Sequence, residues 1–203
     1  MIFDANGGAG GAEAHGAVEL PALARRVRAL RPSCGRVRLV GVDGHAGSGK
    51  STLAARLSAA LGGAPVIHLD DLASHATFFG WQDRLTDDVL RPLAAGGPAR
   101  YRVYDWERRA FTRTAVVPPA PVVIVEGVGA GRRALRPWLA LLVWLAVPEA
   151  TAHGQGRRRD GPALDAFWDQ WTAAERRHFT EDPSKPFADI LIVPRDGGYR
   201  ACA

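Results

Sequence analysis

The run Gly44-His45-Ala46-Gly47-Ser48-Gly49-Lys50-Ser51 satisfies G-x-x-x-x-G-K-[ST] at every fixed position. Glycines there let backbone N–H groups turn inward around phosphate oxygens, where side chains would block approach. A helix beginning at the end of the run adds its positive N-terminal end. Gly44, Ala46, Gly47, Ser48, Gly49, Lys50, Ser51 and Thr52 are therefore the candidate nucleotide-binding residues. In such a loop Lys50 reaches the β- and γ-phosphates of ATP, and the Ser51 hydroxyl is a ligand for Mg²⁺. The bland alternative is a glycine-rich turn that merely joins a strand to a helix.

Two carboxylate sites narrow the chemistry. His68-Leu69-Asp70-Asp71 closes a short apolar run, and Val122-Val123-Ile124-Val125-Glu126-Gly127 closes another. Acids at strand ends sit where α/β folds place their chemistry. Glu126 and Asp70 suit Mg²⁺, directly or through water. Asp71 is the better candidate for helix capping. No N-K-x-D element for reading guanine occurs, which disfavours a GTPase.

The elements that must position these residues alternate. Strands are expected at 37–42, 65–69, 122–125, 141–147 and 188–193, and helices at 18–30, 51–61, 83–95 and 149–180. Residues 99–117 give two extended arms around a polar turn. Solid apolar strands, rather than alternating ones, mark a parallel sheet covered on both faces. The expected fold class is α/β, a P-loop NTPase fold with a five-stranded parallel sheet sandwiched by helices, a small hairpin and a lid. Residues 1–17, rich in Gly and Ala, are expected to be a flexible N-terminal tail, and residues 18–203 a single domain.

Composition agrees with this frame. The 203 residues are 47% hydrophobic and 23% charged, as in an ordinary globular domain that can bury a core without disulfides. The longest apolar run, Trp138 to Val147, is ten residues closed by Pro148, against the roughly 20 a membrane span needs. Asp4 and Glu13 stand where a signal peptide would be basic, and two cysteines make no disulfide framework, so a reducing cytoplasm is expected. Of 26 basic residues only Lys50 and Lys185 are lysines, and the net charge of +5 is scattered rather than blocked. A nucleic-acid partner is therefore disfavoured against a small polyanion. A homo-oligomer is neither required nor excluded.

The phosphate loop, the strand-end Asp pair, Tyr104-Asp105-Trp106 in the extended hairpin and V-x-x-V-E-G occur in one order between about residues 37 and 193. In this the chain resembles the uridine kinase family, whose relatives include nicotinamide riboside kinases. The resemblance implies Mg²⁺·ATP-dependent transfer of the γ-phosphoryl group to a hydroxyl of a small, nucleoside-like acceptor. It makes Asp70 the catalytic base and a metal neighbour, Glu126 the support of Mg²⁺, and Tyr104 a contact to the acceptor. Arg159, in the Arg159-Asp160 pair, corresponds to a lid arginine steadying the transferring phosphoryl group. Asp83 corresponds to a holder of sugar hydroxyls. Trp106 lies where an acceptor pocket should open. The family's base-reading histidine after the hairpin tyrosine is absent; Arg108 and Arg109 stand there, and Arg109 offers only donors, which suits a carbonyl-bearing ring. The lid also departs, with Asp160-Gly161-Pro162 following its arginines. These departures leave open a nucleotide-binding or regulatory ATPase with a degenerate acceptor site. Of the lesser features, Trp168 and Trp171 are expected to pack, His45 to be exposed and incidental, and His68 to be a satisfied strand-end histidine.

Overall fold

Three strands of unbroken apolar character form the centre of the sheet. In the computed structural model, which describes residues 17–202, these are β2 (Arg38–Asp43), β6 (Val122–Glu126) and β7 (Leu141–Leu145). Strands buried on both faces need no polar alternation. β2 pairs in parallel with β6 on one side and β7 on the other. β3 (Val66–His68) extends the parallel sheet beyond β6, and β8 (Ile190–Arg195) extends it beyond β7. The expected five parallel strands are thus present.

The sheet has seven strands, in the order β1-β9-β8-β7-β2-β6-β3. The two unexpected strands, β1 (Ala17–Val18) and β9 (Gly198–Cys202), pair antiparallel at the β8 edge. β9 returns from β8 through Asp196-Gly197, with Arg195 opposite Gly198 and Gly197 at φ 76°. An Asp-Gly pair is the preferred two-residue hairpin loop because it tolerates positive φ. Residues 1–16 of the expected tail lie outside the described residues, while Ala17 belongs to β1 rather than to a tail.

Side chains alternate across the strands, so each strand feeds two cores. Val40, Val42 and Ile124 face α1 (Leu20–Ala29) and α2 (Lys50–Ala60), packing with Leu23, Val27, Leu53 and Leu57. Leu39, Val123 and Val125 face the other way, against Trp81, Leu85, Leu90 and Leu93. The latter come from a helical segment that is not the single helix expected. It runs as α3 (Gln82–Leu85), a π-turn (Thr86–Leu90) and α4 (Arg91–Ala94). The Arg91 N–H reaches five residues back to the Thr86 carbonyl, and Pro92, next in line, has no N–H to restore the α register. Trp81 is core, buried beneath the Arg132 guanidinium 4.2 Å from its ring centroid.

β4 (Ala99–Asp105) and β5 (Ala110–Val117) form the hairpin, with a bulge between Val103 and Tyr104. The long C-terminal helical region is two helices, α5 (Glu149–Asp160) and α6 (Asp165–Glu181), broken at Gly161-Pro162. Trp168 and Trp171 of α6 are buried as expected, Trp168 against Gly156 of α5, where a Cβ would lie 2.2 Å from the ring. The single thiol described, Cys34, is buried and free, donates to the Leu90 carbonyl, and is pushed up to about 11 by burial.

His178 of α6 stacks on Phe79 with ring centroids 4.9 Å apart. Burial, then the adjacent Arg132 cation, hold its pKa down to about 4. The unfolded chain, with a pKa of about 6.5, binds that proton more readily. This part of the stability is therefore complete above about pH 6.5 and lost as pH falls toward 4, by on the order of 3 kcal/mol at most. His178→Gln should flatten the dependence of urea-unfolding stability on pH in that window. An unchanged slope would move its source to another group.

Candidate functional site

β2 ends in Asp43, whose carboxylate is fully buried and clamps two loops at once. Its Oδ1 accepts from the N–H of Gly44 (2.7 Å) and of Gly129 (3.0 Å), and its Oδ2 accepts from Gly131 N–H (2.8 Å). Burial pushes this carboxyl upward, while hydrogen bonds from the Gly131 and Gly44 amides and the Lys50 charge pull it down. The clamp fixes the start of the phosphate loop against the turn that follows β6. Asp43 was not singled out in the sequence, because an acid just before a glycine loop gives no sign of the distant amides it will meet.

Gly44, Gly47 and Gly49 all take positive φ, at 147°, 80° and 95°. A Cβ on Gly47 would lie 2.1 Å from the Ala152 carbonyl, so the loop is pressed against α5 where only glycine fits. α2 then begins after Gly49 with no side chain capping it. The first amides of a helix have no partner within it, so those of Gly49, Lys50, Ser51 and Thr52 meet nothing in the helix itself. Ser48 is buried, and its hydroxyl has no partner among the described residues. Lys50 is buried, with Nζ donating to the His45 carbonyl at 2.9 Å. Thr52 is exposed on the first turn of α2.

Ala46 departs from the expected pattern. Its N–H donates to Glu175 Oε2 at 3.0 Å and is not free for a phosphate. His45 is not the exposed, incidental residue expected either: Nδ1 lies 2.7 Å from Glu175 Oε1, and the side chain is 19% exposed. Glu175 comes from α6, about 130 residues downstream, so loop spacing could not reveal it.

The parallel register sets Val42 opposite Glu126, so the phosphate loop and this acid leave the sheet at one level. The Ser51 hydroxyl donates to Glu126 Oε1 at 3.0 Å, and His68 Nδ1 lies 2.5 Å from the same oxygen. The Glu126 hydrogen bond raises the pKa of His68, so the histidine holds a buried carboxylate in place. Asp70 and Asp71 follow in a 3₁₀ turn, Leu69–Asp71. No side chain caps that turn, so Asp71 does not have the capping role expected of it. It faces Arg113 at 4.0 Å instead. Asp70 is raised in pKa by the crowded cleft around it and then by the Glu126 charge, with Lys50 opposing. Since solvent reaches the Asp70 side chain, the Glu126 charge is the firmer of the two causes.

The hairpin joins this line. The Trp106 indole N–H donates to the Asp70 carbonyl at 3.2 Å. Tyr104 is buried, and its hydroxyl lies 3.1 Å from His75 Nδ1 and 3.4 Å from the His75 N–H. His75 also packs its ring against Trp106, with centroids 5.0 Å apart. Phe78, Phe167 and Trp171 complete an aromatic wall around Trp106. Beside it, Asp71, Tyr104, Arg108 and Arg113 line a cleft of about 490 Å³. His75 is a residue the sequence did not disclose, because it comes from the loop after Asp71 rather than from the hairpin. Burial and the Arg109 charge lower its pKa, which keeps the ring neutral. A neutral ring both donates and accepts.

Other expected residues sit less centrally. Arg109 is exposed in the hairpin turn at φ 53°, and its charge is felt by His75. Asp83 is exposed at the start of α3, and its side chain forms no hydrogen bond or ion pair among the described residues. Arg159 is held bidentate by Asp160, at 2.6 and 2.9 Å, and Asp160 also accepts from the Trp168 indole N–H. Arg157 pairs with Asp165 and Asp169, whereas Arg158 has no carboxylate partner among the described residues.

No family model matches the chain. A uridine kinase of Borreliella burgdorferi is 24% identical, over 79% of this chain and 87% of that protein. Among solved structures, a proposed uridine kinase from Bacillus stearothermophilus superposes with a TM-score of 0.63 at 22% identity, over 85% of this chain and 96% of the other. A proposed fructose transport system kinase from Silicibacter superposes with a TM-score of 0.57 at 26% identity, covering 82% and 90%. No helix among the described residues is long and apolar enough to cross a membrane.

The Asp43 clamp yields one expected outcome. Asp43→Asn sets an amide N–H₂ against a buried donor that the carboxylate now satisfies, and should cost about 1–3 kcal/mol. Urea unfolding measures this, and a change well under that range would show the clamp to be dispensable.

Proposed function

We propose that this chain, a uridine kinase-like P-loop kinase and so a phosphotransferase with a hydroxyl acceptor, transfers the γ-phosphoryl group of Mg²⁺·ATP to a small, nucleoside-like acceptor. One observation supports this above the rest. One line of contacts runs from Ser51 through Glu126 to His68, and a second starts two residues further along the chain and runs from Asp70 through Trp106 to His75 and Tyr104. A phosphate-binding helix start lies at one end and an aromatic wall at the other, with carboxylates between them.

The uncapped start of α2 and the buried Lys50 fit a polyphosphate. The oxygens of Ser51, Glu126 and Asp70 are the hard donors that Mg²⁺ takes. Bound there, the ion would neutralise charge on the phosphates. Asp70 would orient the attacking hydroxyl and accept its proton. Tyr104, Trp106 and the neutral His75 would hold a ring against the cleft wall, with Arg109 near its rim. Of the lid arginines, Arg159 is close enough to Asp70 for the two charges to be felt, but it must leave Asp160 before it could reach a phosphoryl group.

The alternative, a nucleotide-binding or regulatory ATPase whose acceptor site has degenerated, is favoured by that Arg159–Asp160 pair and by the missing base-reading histidine. Measured ADP release separates the two. A kinase accelerates it on addition of the right nucleoside or sugar, and such an ATPase does not. Screening nucleosides and sugars, uridine and cytidine among them, gives the acceptor. Lys50→Ala should reduce phosphoryl transfer by at least about a hundredfold, and full activity would dismiss the loop. Asp70→Asn should lose roughly 10²–10⁴-fold in turnover while retaining nucleotide binding. If Asp71→Asn is the crippling change and Asp70→Asn is mild, the base is Asp71.

A further inference from the structure

Against the phosphate loop, between α5 and α6, lies a cluster to which the proposed phosphoryl transfer assigns no role. His45 of the loop, His153 of α5 and Glu175 of α6 bring three donor atoms within 4.8 Å of one another. His45 Nδ1 is 2.7 Å and His153 Nε2 is 3.0 Å from the same oxygen, Glu175 Oε1. The Glu175 side chain is 1% exposed and the His153 side chain 8%. The remaining oxygen, Oε2, is fixed by the Ala46 N–H at 3.0 Å and the Trp171 indole N–H at 3.3 Å. The carboxylate is therefore oriented by groups that would not themselves bind a cation.

We infer that His45, His153 and Glu175 form a binding site for a borderline divalent transition ion of the Zn²⁺ class, distinct from the Mg²⁺ site. Two imidazoles and one carboxylate are a donor set of mononuclear zinc sites, and nitrogen donors select such ions over Mg²⁺. With metal–ligand bonds of about 2.0–2.1 Å, tetrahedral donors stand roughly 3.3 Å apart. The present separations of 2.7 and 3.0 Å would spread slightly, and the two imidazole nitrogens, within 4.8 Å of each other, would settle to the same spacing. Each imidazole presents a lone pair by moving its proton to the other ring nitrogen. On His153 that nitrogen, Nδ1, lies 3.8 Å from Glu149 Oε1, too far for a hydrogen bond now but close enough for Glu149 to become the outer carboxylate a ligating histidine commonly has. Glu149 is in turn held by Arg176. A groove of about 450 Å³ between α5 and α6, with His153 in its wall, gives a route of entry. Its arginines, Arg157 and Arg176, are both paired with carboxylates. His45 is partly exposed, so solvent reaches that side of the cluster.

Metal binding is read directly, without activity. The full chain, stripped with chelator and titrated with Co²⁺, should bind one equivalent with the strong visible absorption of a four-coordinate ion. Zn²⁺ should bleach the band and excess Mg²⁺ should not. His153→Gln and, independently, His45→Asn should each weaken Co²⁺ binding at least about tenfold, with circular dichroism confirming that the variants fold. The His45 change lies on a partly exposed loop and tests the site even where the buried change unfolds the chain. No visible band, or the same band and affinity in either folded variant, would overturn the inference and leave a hydrogen-bonded cluster without metal.

Discussion

The site depends on one constraint, the parallel pairing of β2 with β6 ended by a buried acid. Pairing fixes Val42 beside Glu126, and Asp43, one residue later, binds amides on both sides of the gap between the strands. A one-residue slip would turn every inward side chain to the other face. It would also part Ser51 from Glu126. The two strands therefore do more than bury Val40 and Ile124: they hold the phosphate loop and the strand-end carboxylate in one plane. Everything added later, the His68 prop, the Asp70 turn and the Trp106 bond, hangs on that alignment.

The legible parts of the chain were those whose cause is local. A glycine-rich run between strand and helix announces itself, because positive φ and close approach demand glycine there. The solid apolar strands likewise announce a sheet covered on both faces. What stayed hidden came from contacts distant in sequence. Glu175 meets the loop from α6, His75 meets Tyr104 from a different loop, and Asp43 meets Gly129 and Gly131 across the sheet. No periodicity encodes such meetings. Two misses were local and had available signals. Asp196-Gly197 announced the hairpin to β9, and Gly161-Pro162 announced the break between α5 and α6.

α6 couples the lid to the loop. Its N-terminal half holds Asp165 and Asp169, which bind Arg157, while Trp168 reaches Asp160 beside Arg159. About two helical turns beyond Trp168, Glu175 holds His45 and Ala46. A displacement of α6 would therefore disturb the lid arginines and the loop backbone together. The tight fit of Gly156 against Trp168 and of Gly47 against Ala152 makes α5 the rigid spacer between them. Such close packing resists gradual deformation, so movement of the lid relative to the loop would take the form of whole-element shifts.

Electrostatics explain why the proposed nucleotide would need a cation for company. Asp70, Asp71 and Glu126 gather near the loop, and each affects the others or His68 through its charge. Lys50 is the one lysine of the loop, and the histidine among the acids is already committed to Glu126. A polyphosphate entering alone would meet more negative charge than Lys50 and a helix end can offset at close range. The same carboxylates become assets once a divalent ion lies between them and the phosphates, since oxygen donors are what that ion takes. Acids that would repel the bare nucleotide would thus select its metal complex. The buried Glu175, satisfied by four donors of its own, is not one of those carboxylates.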